Sequence, residues 1–304
     1  MLKAGAQSLR VRASRLRYLE AILAVAAWGG SFIATKLALR ETAPAAVVWL
    51  RFALGVVVLG GAVAARRQLA PPTWKEAGYF ALLGFIGITF HQWLQSNGLV
   101  TAQASTSAWI VATTPVFMAL LGWLFLKEKL GAERLLGIGL AAVGVLLVVS
   151  RGDWRALALG SFGAPGDWLI MIGAPNWAVF SVLSRPGLGR HPATRMMFYV
   201  MASGWLLSTI PLVWGQGLAS LVRLTLTGWL AVGFLGVVAS GLAYIFWYDA
   251  LQAMPASQLG AFLYLEPLVT MVVAAILLQE AIGWASLLGG GIILLGVWLV
   301  NRQA

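Results

Sequence analysis

The chain has 304 residues, of which 60% are hydrophobic and only 10% charged, with a mean hydropathy of +0.86. A soluble chain of this length carries about 25% charged residues to cover its surface, so the composition excludes a water-soluble protein and points to many membrane spans. The net charge of +11 does not indicate nucleic acid, because the basic residues sit in short connections and no basic, aromatic-interleaved helix is present.

In chain order, apolar runs between charged or Pro/Gly breaks predict ten spans: 18–39, 45–65, 77–98, 103–126, 131–150, 166–185, 194–214, 226–250, 256–278 and 282–300. The first run, from Tyr18 to Leu39, is too long for a cleaved signal segment and is read as a span. The predicted organisation is a basic cytoplasmic tail (1–17), a five-helix unit (18–150), a linker (151–165) and a second five-helix unit (166–304). With the N-terminus inside, fifteen basic residues fall on the cytoplasmic side. These include Arg66, Arg67, Lys127, Lys129, Arg185 and Arg190. Only Arg40, Arg151, Arg155 and Arg223 fall outside, as the positive-inside rule requires of an even span count with both termini cytoplasmic.

Sliding the chain on itself by 152 residues overlays its halves without a gap. Ala104 and Ser105 fall on Ala256 and Ser257, Pro115 on Pro267, Glu128 on Glu280, and Gly144 on Gly296. A shift of 149 relates the first helices, with Trp28 on Trp177 and Lys36 on Arg185. An odd number of helices per half makes the halves inverted across the membrane, an arrangement that recurs in secondary transporters. The fold class expected is therefore an all-α polytopic membrane protein, ten transmembrane helices as two inverted five-helix repeats around a central cavity.

The stretches WGGSFIATKLALRETAPAAVVWLRF (28–52), FLKEKLGAERLLGIGLAAVGVLLV (125–148) and LLQEAIGWASLLGGGIILLGVWLV (277–300) resemble the EamA family of the drug/metabolite transporter superfamily. The resemblance covers nearly the whole chain. It implies ten helices as two inverted repeats, a cavity lined by the first four helices of each half, and a bacterial inner-membrane carrier most like exporters of aromatic and neutral amino acids. The second half departs from the first at Ala193, where the shift places Pro44, and has nothing like Arg51.

Counting along each span at about 1.5 Å per residue puts several polar and aromatic residues at one depth. His91, Gln92 and Gln95 form a polar cluster in the third span, and Thr113 lies in the fourth. Trp28, Trp109 and Trp177 lie deeper than interfacial tryptophans such as Trp74, Trp154, Trp229 and Trp284, and Tyr244 with Tyr248 makes an i, i+4 face. Each could wall a substrate pocket or simply pack. Glu266 has three readings: a structural carboxylate paired with His91 or backbone or kept protonated, a partner for a substrate ammonium, or a proton-coupling group. Pro115 and Pro267 are read as cavity formers and hinges that free carbonyls near Val111 and Leu263. Lys36 and Arg51 either snorkel to outer water, form an outer gate or attract a substrate carboxylate. Glu128 and Glu280 suit the dipole of the helix that follows each. Gly137, Ala141, Gly144, Gly289 and Gly296 suit close helix packing, within one chain or at a dimer seam.

The function expected is alternating-access export of small organic metabolites, most like neutral or aromatic amino acids. The alternatives are the same fold carrying cationic drugs, nucleosides or sugar derivatives, an intramembrane enzyme, or a channel. The enzyme lacks support: there is no HExxH, no cysteine and no paired intramembrane aspartates. No cofactor or metal is expected, since His91 is accompanied only by His191 and no P-loop is present. Expected partners are a small-molecule substrate and membrane lipid, without nucleic acid, for a monomer or homodimer.

Overall fold

The structure, a computed structural model, describes residues 2–126, 131–159, 163–215, 217–253, 259–260 and 262–302, without the side chains of 2–15, 126 and 157. Lys127, Glu128, Lys129, Ala256 and Ser257, used above in the charge count and the repeat, lie outside the described residues. The main helices are α1 (Leu2–Leu39), α2 (Pro44–Ala65), α3 (Trp74–Thr101), α4 (Ala104–Phe125) and α5 (Ala132–Val149) in the first half. In the second half they are α6 (Pro165–Leu188), α7 (Ala193–Trp214), α8 (Leu226–Ala253), α9 (Leu265–Leu277) and α10 (Trp284–Asn301). Eight of them are long and apolar enough to cross a membrane, with α1 counted from Leu16. The eight leave out α6, whose apolar run is diluted by Asp167, Asn176 and Arg185, and α9, which has 13 residues and begins one residue before Glu266.

The two-repeat organisation extends to helix boundaries. A shift of 149 carries Pro44–Ala65 onto Ala193–Trp214. A shift of 152 carries Trp74–Thr101 onto Leu226–Ala253, and Ala132–Val149 onto Trp284–Asn301. Between α1 and α6 and their surroundings the packing follows the same exchange: α1 packs on α8 and α9, while α6 packs on α3 and α4. Helix α2 packs on α7, and α5 on α10.

The α5–α10 seam is made by glycines. A Cβ on Gly137 would lie 2.6 Å from Gly296 O, and one on Gly144 would lie 2.7 Å from Gly289 O. Residue numbers rise along one helix as they fall along the other, so the two run antiparallel. Small residues let the backbones approach this closely, which is how helices associate where lipid removes any hydrophobic advantage. Packing within one chain thus accounts for these residues.

Both long helices α3 and α8 carry a π-helical stretch, Phe85–Phe90 in one and Phe234–Leu242 in the other. The 152-residue shift places the first inside the second. A π-stretch changes the hydrogen-bond register and leaves its carbonyls open to further donors, even where, as at Ile86 O, a backbone N–H (His91) is already accepted. Asn176 Nδ2 on α6 donates to Ile86 O at 2.9 Å, and Trp28 Nε1 on α1 donates to Ala239 O at 3.0 Å. Each π-stretch is therefore latched from the first helix of the opposite half.

The proline-freed carbonyls are satisfied locally. Val111 O, one turn before Pro115, accepts the Thr114 hydroxyl at 2.7 Å, and Leu263 O, one turn before Pro267, accepts Glu266 N–H at 3.1 Å. Both helices break there, with turn residues at 112–113 and 263–264.

Candidate functional site

Arg51 on α2 is only 5% exposed. Its Nε donates to Ser240 Oγ at 2.7 Å and its Nη1 to Gln92 Oε1 at 2.9 Å, so one guanidinium ties α2 to α8 and to α3. Depth counting put this residue where it could snorkel outward; the side chain turns inward instead, drawn by a serine in the π-stretch of α8. Removing an ion from water costs several kcal/mol, and two neutral acceptors do not cancel its charge. Among the described residues no carboxylate pairs with it.

Tyr244 lies one helical turn beyond Ser240. The Trp28 ring stands nearly perpendicular to Tyr244 at 5.6 Å and tilts against Trp247 at 5.1 Å. Tyr248 continues this wall, 6.3 Å from Tyr244. His91 on α3 packs on Trp177 of α6 at 4.8 Å, and Trp177 on Phe180 at the same distance. Among the described residues His91 Nδ1 is buried with no hydrogen-bond partner. Gln95, one turn past His91, is half-buried and makes no side-chain hydrogen bond with a described residue.

Glu266 is held by its backbone. A Cβ on Gly29 would lie 2.9 Å from Glu266 O, and the Thr270 hydroxyl bridges Glu266 O and Gly29 O at 2.9 Å each. This seats Glu266 next to the residue after Trp28. Its half-buried carboxylate pairs neither with His91 nor with any other described group.

Other residues singled out from the sequence lie elsewhere or are engaged. Trp109 is 1% exposed and packs over Gly290 of α10, in a different apolar cluster from Trp28 and Trp177. The Thr113 hydroxyl donates back to Ile110 O at 2.6 Å. Lys36 Nζ donates to Ala102 O at the end of α3. Glu280 accepts from Ala104 N–H at 2.8 Å, Ser105 N–H at 3.1 Å and Ser105 Oγ at 2.7 Å. It therefore caps α4, across the halves, and not the helix that follows it. Lys36 and Glu280 thus hold the carbonyl end of one helix and the amide end of the next, each with the sign the helix dipole favours.

The family model of EamA-like transporters matches residues 16–150 and again 164–302. The chain belongs to the EamA-like transporter family. An uncharacterized transporter of Archaeoglobus fulgidus is 29% identical over 91% of this chain and 94% of its own length. A probable terminal-alkyne amino-acid exporter of Streptantibioticus cattleyicolor is 27% identical over 93% and 92%, and a probable amino-acid metabolite efflux pump of Salmonella typhimurium 26% over 92% of each. A solved crystal structure superposes with a TM-score of 0.63 at 21% identity, over 95% of this chain and 97% of that one, and so shares the fold. The chain is accordingly a polytopic membrane transporter.

Within this EamA-like fold, Ser240 and Asn176 are working positions that the sequence reading did not single out. Each is a polar residue in an apolar run; the signal was present, but its partner, a guanidinium in one case and a π-stretch carbonyl in the other, is fixed only by tertiary packing.

Proposed function

We propose that this EamA-like transporter exports small organic metabolites, chiefly neutral and aromatic amino acids, by alternating access. In this reading ten spans form two inverted five-helix repeats around the Arg51–Tyr244–Glu266 region, in a bacterial inner membrane with both termini cytoplasmic. The observation that carries it is the α5–α10 seam. The 152-residue shift takes Gly137 to Gly289 and Gly144 to Gly296, and each glycine packs against the counterpart of the other. Such an exchange is what a two-fold axis between inverted halves generates, and two equivalent halves can trade inward-open and outward-open packings. The short α9 supports a span broken at Glu266 and Pro267, in keeping with discontinuous helices at transporter midplanes. The amino-acid reading is supported by what two of the relatives are named for.

The test is uptake into liposomes containing the purified protein, with labelled neutral and aromatic amino acids and a cationic drug, with and without a pH gradient. Saturable uptake of at least one amino acid is expected. Uptake of the cationic compound alone would replace the substrate class, and flux altered by the gradient would assign proton coupling.

A further inference from the structure

We propose that a pocket between the start of α3 and the corner joining α6 to α7 binds the phosphate of an anionic phospholipid, with Lys75 and Arg190 as its two cationic contacts. The pocket encloses about 170 Å³, between Lys75, Glu76 and Tyr79 of α3 on one side and Gly187, Arg190 and His191 of the corner on the other. None of these residues belongs to the Arg51–Tyr244–Glu266 region, so the substrate carried does not bear on the pocket.

The polar groups of the pocket divide into those already engaged and those left over. Glu76 caps its own helix, its Oε2 accepting from Thr73 N–H at 2.7 Å and from Thr73 Oγ1 at 3.1 Å, and its Oε1 lies 3.3 Å from His191 Nε2. The other ring nitrogen of His191 meets Arg195 Nη1 at 3.2 Å. Tyr79 OH donates to Leu183 O at 2.6 Å and accepts from Gly187 N–H at 3.2 Å. That leaves Lys75 and Arg190, both exposed, whose side chains make no hydrogen bond or ion pair with a described residue. Two unpaired cations beside one occupied carboxylate make a net positive hollow. Phosphate oxygens suit both, a point charge from lysine and a planar fork from arginine.

The surroundings favour a lipid as the source of that phosphate. Trp74, the first residue of α3, is 94% exposed, as a ring at the headgroup level of a bilayer would be. One turn deeper than the pocket on each helix, Leu82 and Leu183 are 52% and 40% exposed and offer a track for an acyl chain. Leu82 lies two turns from Lys75, on the same face of α3. Basic pockets between transmembrane helices are where anionic headgroups bind. Orientation by the positive-inside rule calls for basic residues here, but not for a cavity between them. The matching corner of the other repeat lacks both cations. The shifts put Thr227 at the position of Lys75 and Glu41 at that of Arg190, and Glu41 is engaged with Thr225. The fold therefore builds this corner without the two charges, and their presence at one corner alone fits a ligand better than a structural need.

The experiment is thermal unfolding of the detergent-purified protein, titrated with phosphatidylglycerol, with phosphatidylcholine of the same chains, and with glycerol 3-phosphate. The pocket joins a helix of the first half to a corner of the second, so a bound ligand should raise the unfolding midpoint. Phosphatidylglycerol should raise it and phosphatidylcholine should not. In a variant carrying both Lys75→Gln and Arg190→Gln, the apparent Kd for phosphatidylglycerol should rise about 10- to 30-fold, the loss of two cations at a charged headgroup. A control carrying Arg155→Gln and Arg223→Gln, two exposed cations outside the pocket, should leave that Kd unchanged. Glycerol 3-phosphate giving the same shift, with the same loss in the pocket variant, would keep the phosphate site and overturn its lipid source. An undiminished response in the pocket variant, an equal loss in the control, or no response to any of the three compounds would overturn the site.

Discussion

Gly137 and Gly296 meet backbone to backbone: a Cβ on either would lie 2.6 Å from the carbonyl oxygen of the other. Gly144 and Gly289 repeat the contact further along the seam, while Gly139 and Gly291, also related by the 152-residue shift, have nothing within 4 Å. Gly144→Ala should therefore lower stability by about 1–3 kcal/mol through overpacking. Gly139→Ala and Gly291→Ala should be neutral or raise it by up to about 1 kcal/mol, since alanine favours helix. Thermal unfolding of the three variants in detergent separates the two classes.

The bond from Trp28 Nε1 to Ala239 O predicts a specific cost for Trp28→Phe. The phenyl ring keeps contact with Tyr244 and Trp247 but loses the hydrogen bond to the Ala239 carbonyl, about 0.5–1.5 kcal/mol. Asn176→Leu should cost about 0.5–1.5 kcal/mol, the loss of one hydrogen bond at Ile86 O, which keeps the His91 N–H. Unfolding midpoints of both variants should fall; an unchanged midpoint would mean that the π-stretches are satisfied without these latches.

Glu280→Gln removes the charge that caps α4 and should cost about 0.5–2 kcal/mol. It should also loosen the α3–α4 turn, where Lys36 holds Ala102 O. The chain has no cysteine, so Gln103→Cys gives a single label site in that turn. Reaction with a membrane-impermeant thiol reagent should be faster when Glu280→Gln is added.

Arg66, just beyond the end of α2, binds both oxygens of Asp249 at 2.8 and 2.7 Å and also donates to Thr194. The hydrogen-bonded carboxylate raises the guanidinium pKa above its ordinary value. A raised cation pKa contributes stability that is complete below the unfolded value and is lost only as pH rises through the folded one. The pair should accordingly give no pH dependence between about pH 6 and 9. The difference in unfolding midpoint between the native chain and Asp249→Asn should be the same at both ends of that range, and small, because the pair is partly exposed.

The membrane class, the repeat and the family could be read from the sequence because they rest on local and periodic properties: apolar run length, charge placement and spaced Pro, Gly and Trp. The asymmetry of Glu266 was legible too, since the repeat aligns it with Thr114. Partners were not legible. Arg51 looked like an outer-end snorkelling residue until Ser240 and Gln92 met it from two other helices. Glu280 was read against its own following helix and instead caps α4 from the opposite half. Trp109 shares its depth with Trp28 but not its face, and depth alone could not separate them. The π-stretches escaped for a related reason, because hydropathy marks a helix without marking its hydrogen-bond register.

The central claim is that two inverted halves exchange access to one site, and counterflow tests it most directly. Liposomes containing the protein are loaded with excess unlabelled phenylalanine and diluted into a trace of labelled phenylalanine. Alternating access predicts transient accumulation of label inside above its equilibrium level, because outward-moving substrate returns the carrier to the external face. Entry that rises only to equilibrium, with no overshoot and no saturation, would contradict the account and describe a channel.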